Sequence, residues 1–286
     1  MSEYIIVANN TCDLPEEILN NLDITILPLG FNIGDESYKS MPPKEFFQKI
    51  REGAMPTTNA GNIGEFTDIA EPALAAGKDV LIIAFSAAMS TTYNSAVLAA
   101  EELSEKYPDR TILVVDSASA SVGEGYLVRG AAEQRLAGKA ITEVRDWLEN
   151  TKGKIAHWVA VNDLGHLKRG GRISAAQAVV GGMLGVKPIL RINEEGGLVS
   201  FGKERGRQAS LQKLMSQLEK TGVNLTEETV YISHADCLDE AEALAKQIKE
   251  KLGVKDIVIS YIGPVIGSHT GLGVIAVCHL ANGREG

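Results

Sequence analysis

Val80-Leu81-Ile82-Ile83-Ala84-Phe85, followed at once by Ser86-Ala87-Ala88-Met89-Ser90-Thr91-Thr92-Tyr93-Asn94-Ser95, is the stretch on which the fold turns. The first six residues are all apolar and lie between Gly77-Lys78-Asp79 and Ser86, so they read as a strand buried on both faces, as in a parallel sheet. Of the next ten residues, five carry an aliphatic hydroxyl and none is charged. A helical pattern then begins, with Ala96, Val97, Ala99, Ala100 and Leu103 on its apolar side. The hydroxyls therefore fall where a buried strand ends and a helix starts. In open α/β sheets that place binds ligands, and the helix start adds unpaired backbone N–H groups suited to an anion. A helix cap at Ser90 or Thr91 would explain one hydroxyl; five exceed that need.

Outward from this unit the pattern repeats. Tyr4–Ala8 and Thr111–Val115 read as further buried strands, each ending in polar residues (Asn9–Asp13 and Asp116–Ser119). Ile24–Leu29 reads as another strand, Phe31–Tyr38 as a segment turning at Gly34-Asp35, and Pro15 and Pro43 as helix openers. Met55–Asn62 reads as a loop with two more hydroxyls, Thr57 and Thr58. Helices are expected over Val122–Leu136 and Ile141–Asn150. Alternating strands and helices predict a mostly parallel sheet.

Beyond about Thr151-Lys152-Gly153 the order changes. A strand at Lys154–Val161, a short helix at Asp163–Lys168, a basic turn Arg169–Arg172, and a helix capped by Ser174 and running to Leu184 are expected. Lys187–Ile192 and Leu198–Lys203 predict a hairpin. Helices at Gly206–Lys220 and Asp239–Leu252 alternate with strands at Thr229–Ser233, Ile257–Ser260 and Val274–Cys278. The fold class expected is α/β: residues 1–152 a mostly parallel α/β/α sandwich domain, residues 153–286 an α+β domain.

Composition narrows the function. The chain of 286 residues carries a net charge of −9 without a long basic run, which argues against nucleic acid as a partner. Cys12, Cys237 and Cys278 are widely spaced and form no CxxC, so neither a disulfide framework nor a zinc site is indicated. No signal peptide or membrane-spanning run is evident, and a cytoplasmic location with at most transient membrane-surface contact is expected. There is no GxxxxGK[ST], no GxSxG elbow and no GxGxxG after a strand. No metal or other cofactor is expected.

His269 lies among four glycines and two hydroxyls in Gly263–Gly273, a glycine-rich connection in which an imidazole can meet a carboxylate or phosphate. Arg172 and Arg205 offer the planar fork that binds such anions bidentately. His157, His166, His234 and His279 lack such a setting and read as structural.

Taken together these segments resemble the DegV family. Phe85-Ser86 through Ser90-Thr91-Thr92-Tyr93-Asn94-Ser95-Ala96 resembles its SS-x-x-SGTYQSA motif, and Asn10–Pro15 its DSTADLP. Thr57–Gly61 is similar to TSQPS, Val115-Asp116-Ser117 to VxDS, Leu167–Ser174 to LKKGGRIS, Lys187–Leu190 to KPIL, Lys203–Arg205 to KxR, and Gly263–Gly271 to GPVIGxHTG. The chain departs from the family pattern at Asn9, Asn10, Thr58–Gly61, Thr91 and Leu272.

The resemblance implies a carrier rather than an enzyme, one that binds a long-chain fatty acid between two domains. It implies carboxylate contacts from Thr57, Thr58, Ser90, Thr91 and His269, with Arg172 and Arg205 at the mouth, where the family's arginines serve an acyl phosphate. Asn10, Ser86, Thr92 and Thr270 would support these loops. FakB-like members present the acid to a separate fatty-acid kinase, which makes such a subunit an expected partner. Two alternatives stay open: an acyl hydrolase or acyltransferase using Ser90 and His269, and a family member with a changed ligand.

Overall fold

The structure is a computed structural model that describes residues 3–162, 164–174 and 185–284. It is a mixed α/β protein with one parallel sheet and a larger mixed sheet. Strands β1 (Tyr4–Asn9), β2 (Ile24–Leu27), β6 (Asp79–Ala84) and β7 (Ile112–Asp116) form the parallel sheet in the order β2-β1-β6-β7. Its side chains point alternately to the two faces, with the strand period of two. Val80, Ile82 and Ala84 pack under helices α3 (Ile63–Ala75) and α4 (Thr92–Lys106), beside Phe66, Leu74, Ala96 and Leu103. Leu81 and Ile83 face the other way, into a core with α5 (Val122–Leu136) and α6 (Ile141–Thr151). Both faces are covered, which is why β6 carries no polar residue after Asp79.

Six strands make the second sheet, in the order β10-β9-β8-β13-β11-β12. They are β8 (Ile155–Ala160), β9 (Val186–Ile192), β10 (Leu198–Arg205), β11 (Thr229–His234), β12 (Asp256–Tyr261) and β13 (Ile275–Leu280). Only the β11–β12 pair is parallel. One face packs on α8 (Arg207–Thr221) and α9 (Leu238–Leu252) through Trp158, Ile232, Val277, Leu214 and Leu244. The alternate residues, among them Val159, Ser233 and Ala276, face the parallel sheet's half of the molecule and line a cavity. The expected hairpin is present, with Asn193 closing its turn onto Gly196 and Gly197. Gly253 ends α9 with a φ of 61°, the left-handed conformation expected of a helix stop.

A small antiparallel sheet, β4-β3-β5, joins the hairpin β3 (Phe31–Ile33) and β4 (Glu36–Tyr38) to the two-residue strand β5 (Thr57–Thr58). Pairing of Phe31 with Thr58 fixes the loop that the sequence read as irregular. After it, Asn62 and Glu65 form a reciprocal capping box on α3. Helices α1 (Glu16–Asn21), α2 (Pro43–Arg51) and α7 (Gly165–Arg169) fall close to expectation, whereas the helix expected from Ser174 to Leu184 lies outside the described residues.

One segment departs from its reading. Gly263–Gly273, read as a glycine-rich connection, contains helix α10 (Pro264–Thr270). Pro264 sets the first-turn φ and Gly271, with φ of 72°, follows the last turn. Gly267 is the residue that misleads: it allows close packing, since a Cβ there would stand 2.7 Å from the ring of Phe46. The glycines thus serve helix packing, and His269 projects from a rigid turn.

Candidate functional site

A cavity of about 930 Å³, part of it open to solvent, lies between the parallel sheet's loops and the free face of the mixed sheet. Its walls are mainly aliphatic. Strand register arranges the mixed-sheet wall in rows: Val161 and Val274 outermost, Leu190, Val159, Ala276 and Ser233 next, and His157 with Cys278 deepest. Leu29, Phe85, Met89, Val265 and Ile266 face these rows.

Polar groups gather at the outer end. Thr58 arrives on β5, Ser90 in the turn after β6, His269 on α10, and Arg172 after α7. His269 Nε2 lies 2.8 Å from Thr58 Oγ1. Burial, then the Arg172 guanidinium and His166, push the imidazole pKa down to about 4, so the ring is neutral at neutral pH. Its Nδ1 abuts Gly170, where a Cβ would stand 2.1 Å away, and has no partner among the described residues. Arg172 donates to the carbonyls of Met89 (3.1 Å) and Gly170 (2.5 Å), and its burial lowers its pKa. Ser90 Oγ accepts from the Thr92 N–H at 3.2 Å and pairs with Thr92 Oγ1 at 2.8 Å, whereas Thr91, the N-cap residue of α4, makes no side-chain cap. Thr92 Oγ1 also accepts from the Gly61 N–H, tying the Thr57–Asn62 loop to the start of α4.

The remaining expected residues fall outside the cavity lining or support it. Thr57 and Thr91 are exposed and do not line the cavity, and Arg205 is exposed at the end of β10, also off the lining. Ser86 is fully buried and donates to the Gly196 carbonyl at 2.8 Å, clamping the hairpin turn onto the strand end. Asn10 brackets the backbone of Leu29 with two hydrogen bonds and so shapes the wall. Thr270 lines the cavity and donates to Ile266 O at 3.1 Å.

Sequence reading missed several lining residues. His157, read as structural, stands at the deep end. Its Nδ1 pairs with the Ile155 carbonyl, its Nε2 abuts Gly123, and burial, with Arg284 nearby, takes its pKa to about 3. Asn59, Ser121 and Ser233 also line the cavity. Ser121 Oγ donates to Asp13 Oδ2 at 2.6 Å and stands 3.0 Å from Ser233 Oγ. Asp13 Oδ1 accepts from the Gly263 N–H at 2.9 Å, and burial raises its carboxyl to about 7. Ser121 has φ 52° and ψ −143°, a region that costs a side-chain-bearing residue on the order of 1–3 kcal/mol. A strand-end signal was present at Asp13; nothing local marked Ser121 or Ser233.

Such an arrangement can hold an anionic head among uncharged donors and one guanidinium, with an apolar remainder in the aliphatic part. Among the described residues no three His, Cys, Asp or Glu side chains form a metal-binding group, and no helix is long and apolar enough to cross a membrane.

The DegV family model, described as one of uncharacterised proteins, matches residues 4–282. A DegV domain-containing protein of Clostridium perfringens is 45% identical over 290 residues, covering all of both chains. The solved structure of a fatty-acid-binding DegV family protein from Thermus thermophilus is 31% identical, with a TM-score of 0.89 over 98% of this chain and 100% of that one. A stearic-acid-binding protein from Eubacterium ventriosum is 26% identical, with a TM-score of 0.86 over 96% and 98%. Sequence match and shape agree over nearly the whole length, and the chain belongs to the DegV family.

Proposed function

We propose that the protein is a carrier for a long-chain fatty acid, with the carboxylate at the Thr58–Ser90–His269 end and the acyl chain along the aliphatic rows. The observation that carries this reading is the Thr58–His269 contact at the polar end of an otherwise apolar cavity. An ionised carboxylate is costly to bury without donors. Here the hydroxyls of Thr58 and Ser90, the imidazole and Arg172 converge on the same end. Each buried CH₂ of the ligand adds about 0.8 kcal/mol. The fatty acids held by structural relatives support the same ligand class.

The reading treats residues 1–152 and 153–286 as two domains with the ligand between them. Ser90, Thr58 and Met89 are half-exposed at the polar end, while Ser233, His157 and Cys278 are buried. The head group would therefore face solvent, which suits its presentation to a separate fatty-acid kinase. A serine hydrolase would need the imidazole at Ser90 and an orienting group on its other nitrogen. The His269 Nε2 contact is to Thr58 instead, and Ser90 pairs with Thr92.

Purified protein, denatured and extracted into organic solvent, should release fatty acid detectable by mass spectrometry, and stripped protein should rebind it. Protein that carries none and binds none when it is added would end the proposal.

A further inference from the structure

The aliphatic wall is interrupted by a hydroxyl pair between the head-group end and His157 at the deep end. In the row Leu190–Val159–Ala276–Ser233, three members are apolar and the fourth is a hydroxyl with no solvent exposure. Ser121, which also lines the cavity, stands 3.0 Å from it. This row lies one two-residue step, roughly 6.6 Å, below the Val161–Val274 row, so the notch faces the middle of a bound chain rather than its head.

The notch is built with care for hydrogen direction. The Ser121 hydroxyl is shared between the buried Asp13 carboxyl at 2.6 Å and Ser233 Oγ at 3.0 Å, and Asp13 is itself held by the Gly263 N–H. With Ser121 donating to it, the Ser233 hydroxyl keeps its own proton free. The Ser233 proton is then left for the cavity side, asking for an acceptor. Ser121 holds its place at φ 52° and ψ −143°, a backbone that glycine would adopt without strain. An unsubstituted alkyl chain gains nothing from either hydroxyl; valine at 233 and glycine at 121 would serve it better. His157 supplies no second acceptor, because its Nε2 is covered by Gly123.

We infer that the cavity recognises a fatty acid bearing a hydroxyl in the middle of its chain, whose oxygen accepts from Ser233 Oγ. This rests on the fatty-acid reading above and refines its ligand class. Burying a chain hydroxyl in a plain hydrocarbon tunnel weakens binding, so the two cases separate clearly.

The test is displacement of a fluorescent fatty acid by octadecanoic acid, by a mid-chain hydroxyoctadecanoic acid and by the terminally hydroxylated isomer. Wild type, Ser233→Ala and Ser121→Gly are compared; the latter relieves backbone strain and so guards against mere misfolding. The expected result is a mid-chain hydroxy acid at least fivefold tighter than octadecanoic acid in wild type, a ratio that drops at least fivefold in both variants. A ratio at or below one in wild type, or one that neither variant changes, overturns the inference while leaving fatty-acid binding intact. Failure of all three acids to displace the probe removes the fatty-acid reading, and this inference with it.

Discussion

The imidazole of His269 and the hydroxyl of Thr58 stand 2.8 Å apart although 211 residues separate them in the chain. One comes from the last turn of a short helix, the other from a two-residue strand, and each is fixed by packing beyond the site. Phe31 holds Thr58 through backbone pairing, and the ring of Phe46, packed edge-on against Phe31, lies against Gly267 of α10. The same aromatic cluster thus sets both partners.

Because the neutral imidazole orients Thr58, the two should act as a unit in binding. His269→Ala is expected to weaken fatty-acid affinity about tenfold or more, roughly 1.4 kcal/mol. Thr58→Val should cost a similar amount, and the double variant should lose less than the sum. Probe displacement measures all three. Additive losses would show that the residues bind independently.

The clamp between Ser86 and Gly196 gives a prediction for stability. Gly196 has φ 83°, and a Cβ there would stand 2.7 Å from Ser86 Oγ and 3.0 Å from Ala118. Gly196→Ala combines left-handed strain with a clash against backbone, so about 2 kcal/mol or more should be lost. Ser86→Ala removes one buried hydrogen bond and should cost about 1 kcal/mol. Urea denaturation of the two variants checks the order; a Gly196→Ala protein as stable as wild type would mean the turn does not seat on the strand end.

The strands and helices of the parallel sheet were legible because local pattern and tertiary role agree there. Val80–Phe85 is apolar throughout because both faces are covered, and of the hydroxyls after it only Ser90 lines the cavity, at its polar end. Helix α10 was not legible, because its glycines answer to neighbours such as Phe46 rather than to helix propensity. Ser233 is one polar residue in a strand, and only the register places it opposite Ser121. Arg205 had a motif behind it, yet motif spacing does not tell which face of β10 is exposed.

Arg284 offers a test of how the halves are held. It is 1% exposed and donates to the carbonyls of Ala118 (2.5 Å), Asn193 (3.1 Å) and Lys152 (2.6 Å). Arg284→Met would leave these acceptors buried without it and should cost about 3 kcal/mol. Arg284→Lys should not restore the loss, since an ammonium cannot reproduce the planar fork that reaches three separate carbonyls. Denaturant titration of both variants decides this. Full stability of the lysine variant would show that charge alone matters.

Asp13 makes stability depend on pH in a direction opposite to most carboxylates. Burial holds its folded pKa at about 7, against 3.8 unperturbed, despite hydrogen bonds from Ser121 and Gly263 that oppose the rise. Between those values the folded chain keeps a proton that the unfolded chain has released. Its contribution is therefore full below about pH 4 and is lost as pH rises through about 7. Asn at this position can still accept from Gly263 and place its amide against Ser121 Oγ without titrating. The stability of Asp13→Asn relative to wild type should thus improve between pH 5 and pH 8, by roughly 2–3 kcal/mol. His157 and His269, depressed to about 3 and about 4, titrate with the opposite sign and cancel in that difference. Urea midpoints of the two proteins across this range give the slope directly; parallel curves would mean that Asp13 is ionised in the folded protein at pH 5 and that its burial does not govern its charge.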